Sequence, residues 1–80
     1  SNSFELNSKL NVYPNPASEY LIVSGLEGSS KVEIYTITGQ LVKSQDFDNE
    51  IHINLDLHVG MYLVKVTNGS QSTTKKIIVK

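Results

Sequence analysis

Apolar and polar residues alternate with a period of two in two segments of this chain, 31–35 and 51–57. The clearest run is 51–57, in which every odd-numbered residue is isoleucine or leucine and every even-numbered residue is polar. Such alternation is typical of a strand with one buried face. No stretch carries the apolar spacing of a helix over three turns. The pattern therefore predicts an all-β protein.

The segments predicted as strands are 10–13, 20–24, 31–37, 41–47, 51–57, 61–67 and 72–79. The end of 51–57 is either strand or bend. Gly39 predicts a tight turn, and Asn68-Gly69 is a strong hairpin signal whose loop has either two or three residues. Short strands at roughly ten-residue spacing predict a small antiparallel immunoglobulin-like β-sandwich of about seven strands, with a small barrel as the alternative.

The length of 80 residues is enough for one domain. We expect residues 10–80 to form it, and residues 1–9 to be a flexible lead-in made of linker and residues left from cloning. No apolar run approaches the roughly 20 residues that span a bilayer, so we expect no membrane insertion.

The chain has a net charge of −1, with seven basic residues that are all lysines. The absence of arginine and of a strong basic patch argues against a nucleic-acid partner. Cysteine is absent, so no disulfide supports the fold.

No residue set in the sequence is typical of an active site. His52, His58 and Asp56 would share the polar face of one strand, but the two histidines would lie about 20 Å apart at the rise of a straight strand. The acidic loop 46–50 lacks the glycine and the distant glutamate of a calcium loop. We therefore predict no catalytic residue, no metal site and no cofactor, and we expect that the protein is not an enzyme.

Two prolines near the start predict a rigid corner between the first two strands. Pro14 and Pro16 each fix φ near −65° and lack a backbone donor, so they cannot lie inside a sheet. Each also favours extended geometry in the residue before it.

These prolines belong to a series of blocks that resembles a known family, the C-terminal sorting domains of the type IX (Por) secretion system. The resemblance covers residues 10–80 and rests on four ordered blocks: Val12-Tyr13-Pro14-Asn15-Pro16-Ala17, the segment 32–42 around Gly39, the segment 57–66 with Gly60-Met61-Tyr62, and the basic aliphatic finish 74–80.

The resemblance implies a transport address rather than catalysis. Such domains follow a fused N-terminal passenger, are recognised in the periplasm by an outer-membrane translocon, and are usually removed by a sortase after export. The passenger then reaches the cell surface or the medium. A different class of function, a carbohydrate-binding or adhesion domain of a surface protein, is the alternative. It would need an aromatic platform, whereas the four tyrosines lie in four separate segments.

The last strand is the predicted docking element, because an edge strand can pair with a partner through its backbone. An open edge permits either a monomer or an edge-strand dimer. The residues predicted for translocon recognition are Pro14, Asn15, Pro16, Lys75, Lys76, Ile77, Ile78, Val79 and Lys80. The residues predicted to determine the fold are Gly39, Gly60, Tyr62, Asn68 and Gly69.

Overall fold

The computed structural model describes residues 10–15 and 17–80, and over these residues the chain is all-β. Its strands are β1 Asn11–Tyr13, β2 Tyr20–Ser24, β3 Ser29–Thr36, β4 Leu41–Asp48, β5 Ile51–Asn54, β6 Gly60–Asn68 and β7 Gln71–Val79. The predicted all-β fold with seven strands is therefore confirmed. The lead-in predicted for residues 1–9, and Pro16, lie outside the described residues.

The strands form two antiparallel sheets. One sheet has the order β1-β2-β5 and the other β4-β3-β6-β7. The chain crosses between the sheets after β2, after β4 and after β5. Within the four-stranded sheet β3 and β6 are central, while β4 and β7 each have one neighbour and form its two edges. This arrangement is the small sandwich that the strand spacing predicts.

The core lies between the two sheets and is supplied by alternate residues of each long strand. In β3, for example, Val32 and Ile34 are buried, whereas Lys31 is exposed and Glu33 half-buried. The side chains with the least exposure come from β2, β3, β6 and β7: Leu21, Val23, Val32, Ile34, Val64, Val66, Ile77 and Val79. Aliphatic side chains on facing sheets exclude water from each other, and their burial is the main stabilising contribution in a chain of this size.

The run 51–57 divides into a strand and a bend. Pairing of β5 with β2 ends at Asn54, and the next backbone N–H, of Leu55, donates to the Glu19 carbonyl over 2.9 Å. The prediction of a strand as far as Leu57 is wrong, and the bend is correct. Leu55 is nevertheless buried, because alternation reports which side chains face the core and not how the backbone is paired.

The last hairpin turns one residue later than the sequence suggests. Asn68 pairs with Gln71, so the two-residue loop is Gly69-Ser70 and Asn68 belongs to β6. Gly69 has a φ of 64°, which a glycine at the first loop position of a type II′ turn adopts without strain. The register that the sequence leaves open is thereby fixed, and Lys75 lies opposite Val64.

Candidate functional site

The proline corner, defined as residues 14, 15 and 17, lies between β1 and β2 of the three-stranded sheet and contacts the edge of the four-stranded sheet. Tyr13 at the end of β1 pairs with β2 in the three-stranded sheet. Ala17 forms a parallel bridge with Val79 of β7, in the four-stranded sheet. Pro14 has no N–H to continue the β1 ladder, which explains why pairing ends at Tyr13. The first strand segment therefore contacts both sheets at one side of the sandwich.

Two residues of the corner bind the outer edge of β7. The Ala17 N–H donates to the Ile78 carbonyl, and the Lys80 N–H donates to the Ala17 carbonyl, both over 2.8 Å. The Asn15 side chain adds two bonds: its Oδ1 accepts from the Ile78 N–H over 3.2 Å, and its Nδ2 donates to the Lys76 carbonyl over 3.4 Å. The two end blocks of the sequence thus meet at one place, 61 to 63 residues apart along the chain.

The residues predicted for recognition are divided by the alternation of β7. Ile77 and Val79 are each 1% exposed and lie in the core, so their side chains stabilise the fold and are not available to a partner. Lys76, Ile78 and Lys80 point outward and are exposed. Only part of the segment 75–80 is therefore a surface that a partner could contact.

At the beginning of that finish, Lys75 is half-buried. In the proline corner, Pro14 is half-buried and Asn15 is exposed, while Pro16 is outside the described residues. The predicted surface is thus reduced to Pro14, Asn15, Lys75, Lys76, Ile78 and Lys80.

The residues predicted to determine the fold have identifiable roles. Gly39 has a φ of 96° in the turn between β3 and β4, where the Thr36 N–H donates to the Gln40 carbonyl over 2.8 Å. Tyr62 is buried, and its hydroxyl donates to the His58 carbonyl over 2.9 Å. This bond provides the polar partner that a buried tyrosine needs.

Glycine at position 60 begins β6, two residues before Tyr62. A Cβ built on Gly60 would lie 3.9 Å from the Tyr62 ring, an ordinary contact, so space is not what requires glycine there. Its φ of 157° is one that other residues rarely adopt.

Asn68 determines the fold through its side chain rather than through the turn. Its Nδ2 donates to the Glu27 carbonyl over 3.0 Å and to the Ser30 hydroxyl over 2.7 Å. Ser30 is the one buried polar residue of the described chain, and this bond satisfies it. The Asn68 side-chain amide therefore connects β6 to β3 and to the loop before it.

The acidic and histidine residues do not converge into a metal site within residues 10–15 and 17–80, where no group of three or more potential ligands is found. His52 contacts the Glu50 carboxylate over 2.9 Å, and both side chains are more than half exposed. In the acidic loop, Asn49 has a φ of 65° and its side chain accepts from the Gly28 N–H over 3.1 Å. These contacts belong to a polar loop, but the loop connects β4 to β5 in the other sheet, so the expectation of a hairpin loop here is wrong.

A groove of about 480 Å³ lies on the side of the sandwich opposite the proline corner. Its walls come from the edge strands β4 and β5, including Lys43, His52 and Asn54, above the buried side chains of Val32 and Ile34. The lining contains no Phe, Tyr or Trp side chain and no carboxylate. The groove therefore offers polar contacts but no arrangement typical of catalysis.

The charges are distributed unevenly along the sequence, a signal that the net charge alone does not reveal. Residues 60–80 contain four lysines, Lys65, Lys75, Lys76 and Lys80, and no acidic residue, which gives +4. The other residues contain three lysines and all eight acids, which gives −5. The β6–β7 hairpin is therefore basic on an acidic body, although the net charge of −1 conceals it.

No helix among the described residues is long and apolar enough to cross a membrane. A search of curated protein sequences finds no match. A solved structure described as PorZ, an essential bacterial surface component of the type IX secretion system of human oral-microbiomic Porphyromonas gingivalis, resembles the chain with a TM-score of 0.82 and 23% identity. The alignment covers 98% of this chain and 12% of PorZ, and at this identity it shows the fold alone.

The family comparison is more specific. Residues 11–80 match the model of the secretion system C-terminal sorting domain, which spans all seven strands and the proline corner. This chain therefore belongs to the family of type IX secretion system C-terminal sorting domains.

Proposed function

We propose that this domain is a non-catalytic export signal whose last strand and proline corner form the surface that the type IX outer-membrane translocon recognises. Membership of the family supports a sorting role for an exported protein. The finer steps belong to the proposal: a fused N-terminal passenger, transit through the periplasm, recognition of the folded domain, and removal by a sortase. The passenger then reaches the cell surface or the medium.

One observation carries the location of this surface. The Pro-Asn-Pro block and the basic finish lie at opposite ends of the sequence, yet Asn15 and Ala17 join them through four hydrogen bonds. A partner that reads both blocks can therefore contact them at one surface only if the domain is folded. This supports recognition of a folded module rather than of an extended tail.

The proposed test fuses residues 1–80 to a fluorescent reporter that carries a periplasmic signal peptide, in a bacterium that possesses the translocon. The reporter is expected outside the outer membrane. Retention of a folded fusion in the periplasm, while native cargo is exported, would refute the sorting role. Deletion of residues 74–80 is a poor test of docking, because it removes the buried side chains of Ile77 and Val79 and would unfold the domain.

Variants that change only the surface locate the docking site. The double substitution Lys76→Glu and Lys80→Glu changes two exposed side chains of the last strand and its end. The matched control, Lys31→Glu with Lys43→Glu, makes the same change in net charge on β3 and β4. Export is expected to fall in the first variant and to remain in the second. Equal export of both would place recognition elsewhere.

A carbohydrate-binding function is a second candidate, favoured by one observation. Tyr13 and Tyr20 are 44% and 47% exposed, and both lie on the outer face of the three-stranded sheet. Tyr13 lies opposite Ile22, two residues from Tyr20, so the tyrosines are diagonal neighbours. Titration with surface polysaccharide would decide: binding that Tyr13→Ala and Tyr20→Ala abolish favours this function.

A further inference from the structure

The outer edge of β7 is divided into a closed half and an open half. In the closed half, the Ile78 N–H and carbonyl are bound by Asn15 and Ala17, which shows that even-numbered residues direct their backbone groups outward. The pairing of β6 with β7 has no register shift, so Ser72, Thr74 and Lys76 also face outward. We define the open edge as residues 72–76.

The open edge presents a short row of backbone groups. Among residues 10–15 and 17–80, no backbone hydrogen bond reaches the outward N–H and carbonyl groups of Ser72 and Thr74 or the outward N–H of Lys76. The corner stops at the Lys76 carbonyl, which Asn15 occupies. A row of this kind is the template on which an additional strand forms.

The lysines around the open edge favour an added strand that carries negative charge. Lys76 is exposed on the outer face, and Lys75 is half-buried on the inner face opposite Val64. Lys65 lies opposite Thr74 on the neighbouring strand. The β6–β7 hairpin itself contains no carboxylate, but Lys65 lies opposite Glu33 of β3. The unbalanced positive charge at the open edge is therefore that of Lys75 and Lys76. An inward-pointing lysine on an edge strand disfavours apolar partners, whereas a carboxylate at that position would be attracted to it.

We propose that the open edge binds a short strand of a partner protein that carries carboxylates at alternate positions. This inference deepens the proposed function, on which it rests, by naming where the partner strand adds and what chemistry it has. The partner adds beside 72–76 only, because the corner already occupies the edge beyond Lys76. Binding weakens with added salt, since the exposed charges are screened.

The test titrates the ¹⁵N-labelled chain with a capped octapeptide of alternating valine and aspartate, followed by NMR. Changes are expected in the amides of residues 72–76. A peptide of alternating proline and aspartate has the same charge but cannot form a ladder strand, and one of valine and lysine has the opposite charge; neither is expected to bind. Equal binding of the proline peptide, or of anionic phosphatidylglycerol vesicles at the same amides, would show attraction of charge alone and overturn the proposal.

Variants of the chain separate backbone pairing from charge. Thr74→Pro removes an outward N–H without breaking the ladder to β6, and it should abolish binding, whereas Thr74→Val should retain it. Lys76→Glu should weaken binding about two- to fivefold relative to Lys43→Glu, which changes the net charge equally. Folding of each variant is checked by its NMR spectrum.

Two further outcomes would overturn the proposal. The first is binding that Thr74→Pro leaves intact in a folded chain. The second is concentration-dependent shifts at residues 72–76 without any peptide, which would make the open edge an interface between copies. Export of the reporter distinguishes this inference from the proposed sorting role. If the wild-type fusion is exported but the peptide does not bind, this inference is refuted and the sorting role is not.

Discussion

The two edge strands of the four-stranded sheet, β4 and β7, each pair with one neighbouring strand, but they differ in how deeply their side chains are buried. In β7 the inner-face residues Ile77 and Val79 are buried in the core. In β4 the only buried residue is Phe47, and Leu41 and Val42 are exposed. The side chains of β7 therefore form part of the core, whereas β4 covers only the margin of the core.

The two edges are also protected from unwanted pairing in different ways. The register between β3 and β4 shifts beside Ile34, so that Tyr35 lies opposite Leu41 and Val42 is left without a partner. Such a bulge interrupts the regular row of donors and acceptors on an edge. β7 has no bulge. Its edge is instead covered in part, because Asn15 and Ala17 bind the Lys76 carbonyl and the N–H and carbonyl of Ile78. A regular, partly covered edge can accept a partner in one defined place, and an irregular edge cannot.

The largest expected effect tests the difference in burial. Ile77→Ala removes three buried carbons from β7 and is expected to lower the free energy of unfolding by about 2–5 kcal/mol. Leu41→Ala on β4, where the side chain is 48% exposed, is expected to cost about 0.5 kcal/mol or less. Urea unfolding followed by circular dichroism measures both. Similar losses in the two variants would mean that β4 contributes to the core as much as β7 does.

A smaller effect is expected at the corner that covers β7. Asn15→Ala removes two hydrogen bonds to that strand and should destabilise the domain by about 0.5–1.5 kcal/mol. Amide exchange at Ile78 should become faster, because its N–H loses the Asn15 acceptor. Hydrogen exchange followed by NMR provides the measurement.

Two variants control for this experiment. Asn15→Asp keeps an acceptor for the Ile78 N–H and should slow exchange relative to Asn15→Ala. Asn54→Ala alters an exposed asparagine of β5 and should change neither stability nor exchange at Ile78. If exchange at Ile78 were the same in all of these proteins, the corner would not protect the edge of β7.

The strands could be predicted because each has a local sequence pattern. In β3, Val32 and Ile34 alternate with charged residues and face the core, whereas β2 is a short, mainly apolar run, Tyr20–Ser24. The division of 51–57 could not be predicted, because Leu55 is buried whether its backbone pairs with β2 or bonds to Glu19. Pairing depends on where another segment lies, which alternation does not report.

The sequence predicted individual residues of the candidate site but not the contacts between them. The sequence singles out Asn15 and Lys76, yet nothing local shows that the amide of one binds the carbonyl of the other. The proline corner explains this contact, because it directs the chain from the first sheet to the edge of the second. The shift of the last turn to Gly69-Ser70 has a similar cause, since Asn68 is held in β6 by Glu27 and Ser30.

The smallest expected effect concerns Tyr35 of β3, which lies next to the bulge in the pairing of β3 with β4. Leu41 on β4 and Leu63 on β6 lie on either side of it. Partial burial raises the pKa of Tyr35 above its ordinary value of 10.0, and the charge and hydrogen bonding of the Glu33 carboxylate raise it further. Because the folded pKa is the higher one, the stabilising contribution is complete below pH 10 and is lost as the pH rises through the folded value.

Spectrophotometric titration of the phenolate, with Tyr35→Phe as the reference, is expected to give a midpoint above 10.0. Leu41→Ala should lower this pKa, since it exposes the ring to water, and Glu33→Gln should lower it by removing the carboxylate. A pKa that responds to Glu33→Gln but not to Leu41→Ala would show that β4 does not shield the ring. The edge strand β4 would then differ from β7 even more than burial indicates, because it would cover only the margin of the core through Phe47 and would not shield Tyr35 on the outer face.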